Sequence, residues 1–271
     1  QEPPMPQALE SDAACRAVSA QEIAHYRAHG WVKLKAFIRP GIVHALLATA
    51  RARMGDEGDS TEGISQPYFT VAFGGGLDNP EVRVLIEQLG QNAKALMARG
   101  SGVGVRYFAD FFAPKLPAAR QSENAGNGPT AFHQDFITFG VDRSGGMTFW
   151  IPLEAYGPDA GTMSFVSGSH QLGVLGSYRA YGDGDALDAF PELRELPMSE
   201  AMQYDVGDIT VHSHLTIHGA GINQLDKPRW SYIILAQPGD ICWSGAPSEA
   251  FDPAGMEVNQ PLDDARFPLI G

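Results

Sequence analysis

The chain contains the stretch Phe132-His133-Gln134-Asp135-Phe136, and another histidine follows much later in the run His218-Gly219-Ala220-Gly221. Residues i and i+2 of a β-strand point to the same side, so His133 and Asp135 can face one ion while Gln134 points away. His218 can join them if antiparallel strands from distant parts of the chain lie together in a sandwich or barrel. Two imidazoles and one carboxylate on one face of an ion leave its other face open. This ligand set is typical of non-haem Fe(II) sites that use a cosubstrate and O₂, and not of closed structural zinc sites.

Two other histidines, His212 and His214, lie in or beside the strand that leads to His218 and are rival candidates for the third ligand. We favour His218, because it is followed by a glycine-rich turn and then by Arg229. For Gln134 we expect a structural hydrogen bond, since a regular strand would point it away from the ion.

Arg229 begins a run, Arg229-Trp230-Ser231-Tyr232-Ile233-Ile234-Leu235, whose aromatic and β-branched residues predict a strand. A guanidinium can bind a carboxylate through two parallel hydrogen bonds. Ser231 is two residues further on, on the same face of the strand, and can add a hydroxyl. The sequence therefore predicts an anchor for a dicarboxylate near the metal.

Together these motifs resemble the phytanoyl-CoA dioxygenase-like family of Fe(II)- and 2-oxoglutarate-dependent oxygenases, and the resemblance spans most of the chain. The family's H-Q-D and H-G-x-G-x-N motifs are matched at His133 to Asp135 and at His218 to Asn223. Its G-D strand is matched at Gly207-Asp208, and its 2-oxoglutarate arginine falls on Arg229. Its N-G-x-x-x-x-x-P-G-S-H loop is matched loosely at 160–170, with Ala160 and Ser167 in place of asparagine and proline.

The resemblance implies that His133, Asp135 and His218 hold Fe(II) and that 2-oxoglutarate reaches Arg229 and Ser231. Many members carry a lysine upstream of H-x-D, and Lys115 lies near its place as a candidate second contact to the cosubstrate. Such enzymes decarboxylate 2-oxoglutarate to succinate and CO₂ with O₂, and oxidise an unactivated C–H bond. Relatives that halogenate have a small residue in place of the carboxylate ligand. Asp135 therefore favours hydroxylation, desaturation or ring closure over halogenation.

The order of elements predicts a mainly β, α+β fold with a double-stranded β-helix (jelly-roll) core and N-terminal helices packed on it. We expect one domain over residues 1–271, with a helical part at about 19–100, the jelly roll at about 101–240 and a tail at 241–271. Ser19 to Glu22 form a capping box for a helix that Gly30 ends. Further helices are expected after Pro40 and after Asn79-Pro80.

Short runs of β-branched and aromatic residues between turn signals predict the strands of the core. We expect them at about Val103–Phe112, Thr130–Val141, Gly146–Pro152, Thr162–Val166, Met202–Tyr204, Ile209–Ser213, Thr216–Gly219 and Trp230–Gln237. The segments 117–129 and 167–188 lack periodicity and are rich in small and polar residues. We expect them to be loops at the mouth of the pocket.

Composition agrees with an enzyme that acts on a small molecule. The formal net charge of -13 argues against nucleic acid as a partner and weakly against a CoA thioester, because phosphates need basic residues. No apolar run is long enough to span a membrane.

Two cysteines far apart in sequence, Cys15 and Cys242, favour a reducing compartment, so we expect a cytoplasmic protein. The sequence allows a homodimer without requiring one.

Aromatic residues near the metal motif are candidates for the substrate pocket. Phe136 and Phe139 follow Asp135, and Trp150 lies in a later predicted strand; packing in the core of the sheet is the alternative for each. We expect a medium-sized hydrophobic metabolite as substrate. A cupin-type isomerase or hydrolase and a non-catalytic binding protein are alternatives, and the predicted carboxylate anchor argues against both.

Overall fold

The computed structural model describes residues 13–59, 64–66, 69–97, 102–120, 128–182 and 184–271. Its α-helices are α1 (Ala20–His29), α2 (Pro40–Met54), α3 (Pro80–Met97) and α4 (Ala186–Ala189). Its strands are β1 (Trp31–Leu34), β2 (Ile64–Gln66), β3 (Phe69–Phe73), β4 (Val105–Phe112), β5 (Thr130–His133), β6 (Met147–Pro152), β7 (Met163–Phe165), β8 (Ile209–Ser213), β9 (His218–Ala220) and β10 (Ser231–Pro238). Within the described ranges, no helix has both the length and the apolar character needed to cross a membrane.

The strands form two antiparallel sheets. The larger sheet has the order β1-β8-β6-β10-β4-β3-β2, and the smaller has the order β5-β9-β7. Apart from the consecutive strands β2, β3 and β4, neighbouring strands in both sheets are not consecutive in the chain, as the closing of a jelly roll requires. The expected jelly-roll core with N-terminal helices is confirmed, and the helical part of the chain also adds β1, β2 and β3 to the larger sheet.

The two faces of the larger sheet have different partners. On β10, Tyr232, Ile234 and Ala236 belong to the main apolar core, which also contains residues of α1, α2 and α3. Ile233 and Leu235 alternate with them and pack into separate clusters on the opposite face, towards the smaller sheet. The helices therefore cover one face, and the other is left for the interior of the jelly roll.

Local signals for the helices are confirmed. Ser19 and Glu22 form the expected capping box of α1, and Gly30 ends that helix with a φ of 81°. α2 and α3 begin at Pro40 and Pro80, whose fixed φ suits a first helical turn and whose missing N–H costs nothing there.

Some predicted strands are wrong in extent. The strand expected at Thr130–Val141 ends at His133, and Asp135–Thr138 is a 3-10 helix, with the N–H of Phe136 donating to the carbonyl of His214 at 3.0 Å. Met202–Tyr204 forms only an isolated bridge, from Tyr204 to Tyr156. β2 and β3 were not predicted. Residues 121–127 of the expected loop at 117–129 lie outside the described residues.

The C-terminus of the chain packs on α3 and β4. The N–H of Val105 donates to the carbonyl of Gly271 at 2.8 Å, and the N–H of Ile270 donates back to Val105 at 2.8 Å. A Cβ at Gly90 of α3 would lie 2.2 Å from the carbonyl oxygen of Ile270. Since that neighbour is backbone, it cannot yield as a flexible side chain would. Glycine is therefore required at this point of the helix.

We predict that Gly90→Ala lowers the free energy of unfolding by about 1–3 kcal/mol, because the overlap outweighs the better helix propensity of alanine. Gly41→Ala in α2 is the matched control, since a Cβ there has nothing within 4 Å. It should leave stability unchanged or raise it by about 0.5–1 kcal/mol. Urea unfolding of both variants measures the difference. Equal stability of the two variants would contradict the close packing of the C-terminus on α3.

Candidate metal centre

His133, Asp135 and His218 meet inside the jelly roll. His133 ends β5 and His218 begins β9, and the two are register partners in the smaller sheet. Asp135 begins the 3-10 helix after β5, and the intervening Gln134 is extended, with φ -112° and ψ 134°. The i and i+2 side chains therefore still point to one side, although the strand itself has ended. Among the described residues, these three form the one group of His, Cys, Asp or Glu side chains placed to share an ion, with ligand atoms within 4.8 Å of one another.

The spacing of the ligand atoms fits a single ion. Asp135 Oδ1 lies 3.3 Å from Nε2 of His133 and 3.6 Å from Nε2 of His218. Metal–ligand bonds of about 2.1 Å at right angles would place neighbouring ligand atoms about 3 Å apart. Both Asp135 distances are slightly longer than this, and all three ligand atoms lie within 4.8 Å of one another, so the three side chains are placed to share one ion.

The other nitrogen of each histidine ligand is held by the backbone. His133 Nδ1 lies 2.7 Å from the carbonyl of Ala131, and His218 Nδ1 lies 3.0 Å from the carbonyl of Thr216. A carbonyl only accepts, so each Nδ1 carries the hydrogen and each Nε2 offers its lone pair towards Asp135. Such bonds orient metal-binding imidazoles and fix their tautomer.

His218 and Asp135 have the protonation states that binding of a metal cation requires. Burial, with a smaller contribution from His212, lowers the pKa of His218 well below its usual range and outweighs the attraction of Asp135. Burial would raise the pKa of Asp135, but its polar surroundings, including the hydrogen bond from His212, bring it well below its usual range. A neutral imidazole and an ionised carboxylate can bind a metal without first losing a proton.

The second oxygen of Asp135 is bonded by the larger sheet. Thr148 Oγ1 donates to Asp135 Oδ2 at 2.8 Å, and His212 Nε2 lies 3.1 Å from the same atom. His212 therefore contacts the carboxylate and is not one of the three grouped ligands. The sequence analysis missed Thr148, although a hydroxyl in the otherwise apolar run Met147–Pro152 was a signal, because buried hydroxyls need a partner.

The remaining rival, His214, does not face the candidate ion site. Its ring lies 4.7 Å from that of Phe139, and neither ring nitrogen has a hydrogen-bond partner among the described residues. Burial lowers its pKa to about 4.

Gln134 makes the structural hydrogen bonds that were expected for it. Its amide nitrogen donates to the carbonyls of Gly173 at 2.8 Å and Leu215 at 2.7 Å, and its oxygen accepts from the N–H of Leu175 at 2.8 Å. One side chain thus connects the His133–Asp135 segment to the excursion at 167–188 and to the segment that leads into His218.

Lys115 and Arg229 lie side by side at another part of the interior. They form an antiparallel bridge, with N–H to carbonyl distances of 2.8 and 2.9 Å. Such a pair places both side chains on one face. Lys115 Nζ donates to the carbonyl of Gly221 at 2.6 Å and to Thr130 Oγ1 at 3.3 Å, and Arg229 Nη1 donates to the carbonyl of Gly161 at 2.9 Å.

Both cations are buried, with 3% of Lys115 and 6% of Arg229 exposed. Burial lowers the pKa of each, and the charge of Arg229 lowers that of Lys115 further, well below its usual range. Among the described residues, neither forms an ion pair with a carboxylate, and Nε of Arg229 has no hydrogen-bond partner. Two basic side chains are therefore buried together with neutral partners, an arrangement that favours an anionic ligand.

The other residues singled out from the sequence lie around these two groups. Ser231 is buried on β10, and its hydroxyl donates to the carbonyl of Ala113 at 2.8 Å. Trp150 lies under Arg229, with 5.0 Å between its ring and the guanidinium carbon. Phe139 packs in an apolar cluster with Phe108, and Phe136 lies against that cluster while remaining partly exposed.

Comparison with known proteins was made for sequence and for structure. The model of the phytanoyl-CoA dioxygenase (PhyH) family matches residues 26–231. A search of curated protein sequences found no significant match.

Solved structures share the fold. The carbocyclase SnoK from nogalamycin biosynthesis is 21% identical, with a TM-score of 0.73 over 94% of this chain and 97% of its own. The epimerase SnoN, in complex with Fe³⁺, α-ketoglutarate and nogalamycin RO, is 24% identical, with a TM-score of 0.73 over 93% and 98% of the two chains. EctD from S. alaskensis is 18% identical, with a TM-score of 0.63 over 84% and 82%.

The family match extends from α1 to the first residue of β10 and includes the motifs that supply His133, Asp135, His218 and Arg229. The H-x-D…H triad of the family is present and its side chains converge. The chain therefore belongs to the phytanoyl-CoA dioxygenase family and is an Fe(II)- and 2-oxoglutarate-dependent oxygenase.

Proposed function

We propose that the protein oxidises an unactivated C–H bond of a medium-sized, hydrophobic small-molecule metabolite, with hydroxylation as the main outcome. His133, Asp135 and His218 hold Fe(II) through two Nε2 atoms and one carboxylate oxygen. When bound, the iron, together with 2-oxoglutarate and O₂, supplies the oxidant, and succinate and CO₂ are the co-products. The donor set fits this ion, because two imidazoles and a carboxylate on one face are typical of such Fe(II) oxygenases.

The pair of buried cations, Lys115 and Arg229, is the observation that carries the assignment of the cosubstrate pocket. The distal carboxylate of 2-oxoglutarate supplies the negative charge that these side chains lack among the described residues. Arg229 Nε is buried without a partner and is available to the carboxylate. Ser231 supports the same end of the pocket, and Trp150 stacks on the guanidinium. The hydroxyl of Ser231 must turn from Ala113 if it is to donate to the cosubstrate.

The substrate approaches the metal from the side of Phe136. The side chain of Asp135 is 17% exposed, whereas those of His133 and His218 are each 5% exposed, so the site is most open towards the 3-10 helix that carries Phe136. Phe136 provides a partly exposed apolar surface there, supported by the buried cluster that contains Phe139. The work of these residues is to orient the C–H bond and to keep water away from the reaction.

Asp135 also affects which kind of product we expect from the reaction. Its carboxylate fills the position that a halide would need, which favours oxidation without halogenation. Desaturation and ring closure are further outcomes of the same attack on a C–H bond. Proteins described as a carbocyclase and an epimerase share this fold, so the scaffold supports outcomes other than hydroxylation.

Family membership removes the basis for the two alternatives considered from the sequence, a cupin-type isomerase or hydrolase and a non-catalytic binding protein.

The direct test of the proposed function is succinate formation from 2-oxoglutarate with added Fe(II) and ascorbate. Medium-sized apolar metabolites are screened for stimulation, and each product is identified by mass spectrometry. Failure of every apolar compound, with stimulation by strongly polar or charged ones, would contradict the proposed substrate class.

We predict that His133→Ala, Asp135→Ala and His218→Ala each lose Fe(II)-dependent succinate formation while remaining folded, because each removes one ligand from a preformed site. His214→Ala is the matched control, since this buried histidine lies close by without facing the ion. It should retain Fe(II) binding. Fe(II) affinity, circular dichroism and succinate assays measure the three properties. Retained Fe(II) binding in His218→Ala with loss in His214→Ala would overturn the ligand assignment.

We predict that Arg229→Ala raises the KM for 2-oxoglutarate by one to two orders of magnitude, since a hydrogen bond to a charged group contributes about 1.5–3 kcal/mol. Arg229→Lys should recover only part of the loss, because lysine lacks the planar fork. Arg106→Ala is the control, since this buried arginine is bonded to Asp264 and to the carbonyl of Gly239. An unchanged KM in Arg229→Ala would move the anchor to Lys115.

A further inference from the structure

Thr148 and His212 form a rigid pair of hydrogen-bond donors next to the metal ligands. They are register partners on β6 and β8, so their side chains leave the larger sheet on the same face. Both are buried, with 4% of Thr148 and 1% of His212 exposed. Their neighbours in the sheet, Phe149 and Val211, point to the opposite face and into the main core. The position of the pair is therefore set by the sheet and does not depend on the metal ligands.

Both donors converge on one atom, Asp135 Oδ2, at 2.8 Å from Thr148 Oγ1 and 3.1 Å from His212 Nε2. An ionised carboxylate only accepts, so Nε2 of His212 carries the hydrogen in this bond. Each carboxylate oxygen has two lone-pair sites, and two donors occupy both sites on Oδ2. Oδ1 faces the Nε2 atoms of His133 and His218 and is the oxygen left for the ion.

We propose that Thr148 and His212 are positioning residues that form an anion receptor beside the metal and hold Asp135 as a ligand through one oxygen only. This inference rests on the proposed function, in which His133, Asp135 and His218 bind Fe(II). A carboxylate that bound through both oxygens would occupy a further coordination position, which a cosubstrate that binds through two atoms would need. The receptor therefore protects the open face of the site.

The receptor also joins the two sheets. Asp135 follows β5 of the smaller sheet, whereas Thr148 and His212 belong to the larger sheet. Among the described residues, no strand pairing joins the two sheets, and Asp135 lies at the start of a short 3-10 helix. A donor pair that stays in place when Asp135 is removed should accept another small anion at the same position.

The first experiment measures metal affinity without turnover, using Co(II) as an oxygen-stable probe whose visible absorption reports coordination. Thr148→Val and His212→Phe should each weaken Co(II) binding by about tenfold or more, because each removes a hydrogen bond to a charged group. Thr148→Ser and His212→Gln retain a donor near the original atom and should recover most of the affinity. Thr162→Val is the control, since Thr162 is also buried and, among the described residues, its hydroxyl bonds only to the carbonyl of Met202.

The second experiment uses chemical rescue. Asp135→Ala should bind Co(II) poorly, and formate should restore binding with a saturable dependence on its concentration, because it can occupy the receptor and offer one oxygen to the ion. Adding Thr148→Val to Asp135→Ala should raise the formate concentration for half-maximal rescue by about tenfold or more. Adding Thr162→Val should not change it. Chloride tests whether a monatomic anion occupies the same receptor, and its effect should likewise depend on Thr148.

Three results would overturn the proposal. The first is Co(II) affinity in Thr148→Val and His212→Phe equal to that of Thr162→Val. The second is formate rescue that does not depend on Thr148. The third is complete loss of Co(II) binding in both His212→Phe and His212→Gln, as in His218→Ala, which would make His212 a metal ligand. Failure of the proposed function is distinguishable, because the unmodified protein would then bind neither Co(II) nor Fe(II) at this site.

Discussion

Asp135 is the residue on which the rest of the site depends, because its two oxygens face different parts of the fold. One oxygen lies within 3.6 Å of the Nε2 atoms of both histidine ligands, and the other accepts hydrogen bonds from the larger sheet. A buried carboxylate is stable only when its lone pairs are satisfied. Here the same contacts that satisfy it also bring the smaller and larger sheets together around the candidate ion. The contacts that orient the carboxylate therefore also hold the two sheets of the jelly roll together.

At the proposed cosubstrate end of the pocket, the buried groups are two basic side chains and not a carboxylate. Lys115 and Arg229 are held together by the backbone hydrogen bonds of an isolated bridge, so the fold places two basic side chains side by side in a low-dielectric interior. Their partners among the described residues are carbonyls, hydroxyls and the face of Trp150. Burial of such a pair without an anion lowers the stability of the free protein, and the proposed binding of a dicarboxylate would offset that loss.

Much of the fold was predictable from local signals. The capping box at Ser19, the prolines that begin α2 and α3 and the aromatic and β-branched run of β10 act within a few residues, and the structure agrees with each of them. Predictions failed where the chain bends for non-local reasons. β5 ends at His133, and three residues later the N–H of Phe136 bonds to the carbonyl of His214 instead of continuing the strand. No pattern within the 130–141 segment encodes that partner.

The sequence by itself determined the type of site. An H-x-D pair, a distant histidine and an arginine before a strand identify the candidate binding residues, because the type of a residue determines which donor atoms it offers. The tertiary structure decided which histidine faces the ion and which supports the carboxylate. The glycine-rich turn after His218 favoured it as the ligand, but the support from His212 depends on β8 and β9, which belong to different sheets and approach Asp135 from different sides. It likewise paired Thr148 with His212, and Lys115 with Arg229. Pairing between strands depends on register and packing across the whole core, and neither is contained in any single segment.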